Sequence, residues 1–197
     1  VTYLGVNEVF HAPRDPALVR RFREKFRLGD DRFILYVGTD RAHKNLTRLL
    51  EAYARLRQEA AFPHKLLLVG ALSGDGTLRQ AITHLGLDRE VRRLGYLSDE
   101  ELPLAYQASD VLAFCSLSEG FGMPLVEAMA SSLPLVASNV GAVAEIAGDS
   151  AVLVDPCSVP SIAEGLHRVL ASESLRAELV VRARERMRGF TWEAAAR

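Results

Sequence analysis

The 197-residue sequence holds little cysteine, little lysine and no long apolar run. Its two cysteines, Cys115 and Cys157, cannot build a disulfide scaffold, and neither has a CxxC or other metal-ligand spacing. A reducing cytosol is therefore the expected compartment. Mean hydropathy is +0.06, and no stretch of roughly 18 apolar residues occurs, so no segment reads as a membrane-spanning helix. No signal peptide is visible. Charge of one sign is missing too: 25 acidic residues against 24 basic ones leave −1. That balance removes a global electrostatic case for nucleic acid or an anionic membrane. Gly70, Gly74 and Gly76 have the wrong spacing for the GxGxxG dinucleotide fingerprint. No Gly-Lys dipeptide offers a Walker A loop, and no GxSxG elbow offers a hydrolase serine.

What is present is an alternation. Short apolar runs read as strands at Phe33–Val37, Leu66–Val69, Val91–Leu94, Val111–Phe114, Leu135–Ala137 and Ala151–Val154. Their nearly continuous hydrophobicity suits parallel strands buried on both faces. Helical periods lie between them at Leu46–Glu59, Thr77–Leu85, Asp99–Gln107, Pro124–Ala130 and Ala142–Ile146. Two more follow at Ser161–Leu170 and Leu175–Arg188. Arg182, Arg184, Arg186 and Arg188 read as a solvated end that complements the helix dipole. Such alternation predicts an open, doubly wound α/β sheet. Residues 1–16, with Tyr3, Gly5, Asn7, Pro13 and Pro16, read as a linker or approach segment, and 17–189 as the domain. After Gly189, Thr191 can cap a fresh helix at Trp192 that is cut at Arg197. With no initial methionine, the chain is expected to be an excised piece of a larger protein.

In doubly wound sheets, ligands bind at the carboxyl ends of the strands. The loops there are rich in glycine, small polar residues and charge: Gly38–Asn45, Gly70–Gly76, Cys115–Pro124 and Ser138–Gly141. In the third, Gly120 and Gly122 allow close backbone approach, and Pro124 suits a first helical turn. The helix N-terminus then offers an anion site, with a plain tight turn before a buried helix as the lesser alternative from the residues. Lys44, one of three lysines against 21 arginines, stands at a strand-to-helix corner. There it serves either as a phosphate contact or as an ordinary solvated lysine. Glu127 is a lone carboxylate on an otherwise apolar helix, so it needs partners, and ligand hydroxyls would serve. Glu119 and Glu127 are not placed as a glycosidase pair, since eight helical residues span about 12 Å. The scattered histidines His11, His64, His84 and His167 have no metal-ligand spacing, and Cys115 reads as packing.

The run Phe114–Met129, containing Glu119-Gly120-Phe121-Gly122 and Glu127, resembles the E-x7-E signature of GT-B retaining glycosyltransferases of family 4, the glycosyl transferases group 1. Gly38-Thr39-x3-His43-Lys44-Asn45-Leu46 resembles that family's diphosphate-binding corner. Arg92–Ser98, Ala108–Val111 and Val154-Asp155-Pro156 are similar to its flanking segments.

The resemblance implies the C-terminal, Rossmann-like half of a two-domain GT-B fold, entered through Val1–Phe10 and left through the terminal helix at Trp192. It implies that the chain binds a nucleotide-diphosphate sugar, of GDP-mannose type, for retaining transfer to an acceptor hydroxyl. Glu119 and Lys44 would be catalytic: Glu119 on the sugar hydroxyls, Lys44 on the diphosphate. The amides of Gly120, Phe121 and Gly122, continuing into Met123 and Pro124, would hold phosphate and sugar. Glu127 would take the ribose hydroxyls, and Gly95, Tyr96 and Leu97 would lie against the base. Gly38, Thr39, Arg41, His43 and Gly70 complete the implied donor site. Thr39 and His43 stand where the family often has arginine, with Arg41 nearby. No cofactor, metal or nucleic acid is implied. The acceptor glycan or lipid belongs to a missing N-terminal domain, and the whole enzyme to the bacterial cytoplasm or inner membrane face. The alternatives are another GT-B enzyme, an epimerase or phosphorylase, or a non-catalytic nucleotide-binding module.

Overall fold

The computed structural model describes residues 5–59, 62–72 and 76–190. Six parallel strands form its centre: β1 (Arg32–Val37), β2 (His64–Val69), β3 (Val91–Gly95), β4 (Val111–Phe114), β5 (Leu135–Ser138) and β6 (Ala151–Val154). Their order is β3-β2-β1-β4-β5-β6. The chain therefore winds outward from β1 to one edge, returns beside β1, and winds outward to the other. Helices α1 (Pro16–Lys25), α2 (Leu46–Glu59), α3 (Thr77–His84), α4 (Leu102–Gln107), α5 (Met123–Ala130), α6 (Gly141–Ala147), α7 (Val159–Ala171) and α8 (Glu173–Met187) cover both faces. The six expected strands are all present, in the Rossmann-like arrangement their alternation with helices requires.

Two-sided burial accounts for the apolar strands. Phe33 and Leu35 of β1 face one core with Leu67, Leu112 and residues of α1, α4, α5 and α6. Ile34 and Tyr36 face the other with Leu66, Leu68 and residues of α2, α3 and α7. Register pairs Ile34 with Leu66 on one side and Val111 on the other, and a one-residue slip would exchange the two faces. Helix α8 belongs to both layers: Leu179 packs in the second core, Ala183 and Met187 in the first.

Three local features depart from the sequence reading. Helix α1 was not expected, yet Asp15 caps it, accepting Ala17 N at 2.8 Å, with Pro16 in the first turn. Before it, the approach segment packs into the domain: Val6 and Phe10 are buried, and a 3-10 turn spans Glu8–His11. Helix α4 starts at Leu102, because residues 98–101 form a turn in which Glu101 N and Leu102 N both reach Ser98 O. Of the four arginines near the end of α8, Arg188 is exposed as expected, but the other three are not simply solvated. Arg186 donates to the carbonyls of Glu145 and Ile146, at the end of α6, and Arg182 to Asp149 O. Arg184 reaches Ser132 Oγ at 3.3 Å. Tyr3 and the helix start expected at Thr191 and Trp192 lie outside the described residues. Among the described residues, no helix is long and apolar enough to cross a membrane.

Candidate functional site

The winding reverses at β1, and a crevice opens between the carboxyl ends of β1 and β4. Two loops meet there and are stitched together. Leu117 N donates to His43 O at 2.7 Å. Asn45 is buried, with left-handed φ of 59°. Its Nδ2 donates to Cys115 O at 2.8 Å and Pro156 O at 2.7 Å, while Oδ1 accepts from Arg48 Nη1 at 3.0 Å. One amide thus joins the loops after β1, β4 and β6. Ser138 Oγ ties in the end of β5, donating to Ser116 O at 2.7 Å.

Held in this way, Lys44 Nζ lies 2.7 Å from Glu119 Oε1, with side chains only 18% and 10% exposed. The ammonium also stands 5.7 Å from the centroid of the Phe114 ring. Each charge has the other for a partner, and each can exchange it for a ligand: Lys44 for an anion, Glu119 for hydroxyl donors. Thr39 lies in the same loop. Its carbonyl accepts the Tyr36 phenol at 2.5 Å, and its Oγ1 is buried without a hydrogen bond. Such an unmet hydroxyl costs about 1–3 kcal/mol, which a ligand oxygen would relieve. Burial, then the charges of Asp40 and Glu119, push the Tyr36 phenol up, so it remains a neutral donor.

Gly122 caps α5 with φ of +100°, where a Cβ would meet Leu125 Cδ1 at 3.2 Å and Phe114 Cε1 at 3.4 Å. Glycine alone fits this turn comfortably. At the start of α5, Leu125 N already donates to Gly122 O at 2.9 Å, which leaves the Met123 amide open to a ligand. The side chains of Phe121 and Met123 pack on the core, so these two residues offer a ligand their backbone, and Pro124 has no N–H to give. Across the sheet edge, Gly38 N donates to Val69 O at 2.9 Å and Gly70 N to Gly95 O at 2.8 Å. A Cβ on Gly70 would lie 2.0 Å from Gly38 O. Gly38, Gly70 and Gly95 therefore make a shelf without side chains over β1, β2 and β3. Beyond it Tyr96 is 80% exposed, whereas the Leu97 side chain is buried. From β4 to β3, three strand spacings give about 14 Å, room for an extended nucleotide.

Glu127 lies one turn into α5. Its Oε2 accepts the Tyr106 phenol at 2.7 Å, so the protein, and not a ligand alone, partners this carboxylate. Burial raises its pKa, and the Tyr106 bond opposes that rise. The structure thus brings Lys44, Glu119, Thr39, His43 and the glycine loop together at the crevice. Gly70, Gly95 and Tyr96 lie along the same edge. Arg41 is exposed and contributes its carbonyl to Lys44 N at 2.8 Å. Asn45 was named in the corner motif but given no role, and Tyr36 and Tyr106 were not singled out in sequence. A lysine followed by asparagine, which tolerates left-handed φ, was a usable signal for the first; the tyrosines carry none. Burial pushes the Cys115 thiol up to about 12, which removes it as a nucleophile. Among the described residues, no three His, Cys, Asp or Glu side chains converge as metal ligands. An open groove of about 700 Å³ between His11, Arg14, Gln107, Ser131, Arg184 and Arg188 contains none of the sequence-expected site residues.

Comparison with known proteins bears on the family and the fold. The family model of the glycosyl transferases group 1 matches residues 19–186. The chain is 34% identical over 184 residues to the O-antigen chain mannosyltransferase B of Escherichia coli, covering 93% of this chain and 48% of that protein. It is 37% identical over 170 residues to the MMP alpha-(1->4)-mannosyltransferase of Mycolicibacterium hassiacum, covering 84% of this chain and 41% of that one. The chain therefore spans about half the length, or less, of these curated relatives. Among solved structures, sucrose-phosphate synthase from Thermosynechococcus elongatus superposes with a TM-score of 0.83 at 27% identity, covering 98% of this chain and 49% of that one. The chain belongs to the glycosyl transferases group 1 family.

Proposed function

We propose that the chain binds a nucleoside-diphosphate sugar along the carboxyl edge of its sheet. The enzyme containing it would transfer the sugar to an acceptor hydroxyl with retention of configuration. The observation that carries this reading is the Lys44–Glu119 pair in the crevice between β1 and β4. The diphosphate takes Lys44 and the amides of the glycine loop up to Met123, where negative charge grows as the bond from the sugar's C1 to the phosphate oxygen breaks. The acceptor oxygen bonds to C1 on the face the diphosphate leaves, and its proton passes to the departing phosphate. Glu119, released from Lys44, accepts sugar hydroxyls. Glu127 accepts ribose hydroxyls, and the glycine shelf leads the base to Tyr96. Lysine and amides supply the counter-charge, so the reading assigns no metal. The mannosyltransferase relatives support a mannosyl donor, hence a guanine nucleotide. An acceptor glycan or lipid belongs to a further domain.

The test is calorimetry of the chain with GDP, UDP and ADP, with and without EDTA. One diphosphate is expected to bind, indifferent to EDTA and weakened by Lys44→Ala. Binding of none of the three, or unchanged binding by Lys44→Ala, overturns the reading.

A further inference from the structure

We infer that Tyr106 is a positioning residue for the donor's ribose, fixing the Glu127 carboxylate so that one oxygen faces the 2′- and 3′-hydroxyls; this rests on the donor reading above. A carboxylate on a glutamate side chain turns freely unless something stops it, and vicinal hydroxyls need an acceptor of fixed direction. Glu127 stands among Leu125, Val126, Ala128 and Met129, all buried, and none of these can hold it by a hydrogen bond from its side chain. Tyr106 can. Its phenol donates to Oε2 at 2.7 Å, the one side-chain hydrogen bond seen for Glu127 among the described residues.

The donor itself is immobilised. Tyr106 is completely buried, and its ring meets Phe10 edge-on, with centroids 5.6 Å apart and planes at 86°. Burial and the adjacent carboxylate both keep the phenol protonated, so it remains a donor to Oε2. Phe10 belongs to the 3-10 turn of the approach segment, whose carbonyl also takes Ser131 Oγ at 3.5 Å. The orientation of the carboxylate is thus set from α4 and from residues before α1, outside the loops that carry the phosphate contacts.

The experiment compares the chain's affinity for GDP, UDP and ADP with that for their 2′-deoxy counterparts, following whichever base binds tightest. Hydrogen bonds to a charged group are strong enough for the native chain to prefer the ribonucleotide by roughly tenfold or more. Tyr106→Phe keeps the ring against Phe10 and is expected to bring that preference close to unity with little change in melting temperature. Phe10→Leu is expected to melt earlier yet retain the preference. Tyr106→Phe added to Glu127→Ala is expected to change the preference no further. An unaltered preference in Tyr106→Phe overturns the positioning role alone. Equal loss in Phe10→Leu overturns it in favour of general packing, and an unaltered preference in Glu127→Ala overturns it together with the ribose reading.

Discussion

Lys44 and Glu119 stand 2.7 Å apart across the crevice between β1 and β4, each the other's counter-charge. An anion approaching Lys44 must therefore displace a carboxylate before it binds. Glu119→Gln removes that competitor. A nucleoside diphosphate is expected to bind this variant at least as tightly as the native chain, while the corresponding nucleotide sugar binds more weakly. Lys44→Met is expected to weaken both by ~10- to 100-fold, the usual scale of a charge-assisted contact. Titration of the two ligands against the two variants checks the opposite signs.

Asn45 combines left-handed backbone with three side-chain hydrogen bonds. Asn45→Gly keeps the backbone and loses the bonds. Asn45→Ala loses the bonds and meets the left-handed penalty of roughly 1–2 kcal/mol as well. Asn45→Asp sets a carboxylate against the carbonyls of Cys115 and Pro156. Urea denaturation is expected to rank stability as native, then Gly, then Ala, with Asp lowest. Diphosphate affinity should fall even in the glycine variant, because Lys44 is the neighbouring residue.

His64 is buried at the start of β2 with neither ring nitrogen hydrogen-bonded. Asp110 Oδ2 is 3.8 Å from Nε2 and already accepts from Phe33 N, while Oδ1 is held by Arg32. Burial, opposed by Asp110 and aided by Arg32 and Arg176, lowers the imidazole to about 4. The unfolded chain takes up this proton near pH 6.5 and the folded chain only near 4. Stability is therefore full above about pH 6.5, erodes as pH falls toward 4, and is constant from this source below that. The loss is on the order of 3 kcal/mol. His64→Leu is expected to flatten the corresponding slope of unfolding free energy between pH 6.5 and 4, with carboxylate titrations remaining.

The two thiols should be separable without mutation. Cys157 is exposed, whereas Cys115 is buried with its pKa pushed up to about 12. A thiol reagent at neutral pH is expected to modify one cysteine per folded chain and two in denaturant. Rapid labelling of both in the folded chain would contradict the packing of the loop after β4.

Most of the sheet was legible because strands buried on both faces leave uninterrupted apolar runs, as Leu66–Val69 and Val111–Phe114 do. Helix α1 could have been read too, since Asp15-Pro16 is a cap followed by a first-turn proline. It was lost beside the irregular residues that precede it. Lys44 and Glu119 were visible through their loops, although their contact joins residues 75 positions apart and needs the strand order. Tyr106 was not visible: nothing in its own helix says that its phenol ends on a glutamate of α5. Nor does the arginine run of α8 announce that Arg186 will reach the last carbonyls of α6.

Phe121, beside Glu119, lies edge-on to Phe190 with ring centroids 6.2 Å apart. Phe190 is buried, and like Phe10 it falls outside the span 19–186 that the family model matches. Both ring contacts therefore reach from inside the matched span to residues outside it: Phe10 to Tyr106, and Phe190 to Phe121. A chain trimmed to residues 19–186 would retain Glu119 and Glu127 and lose the ring partners of both Tyr106 and Phe121.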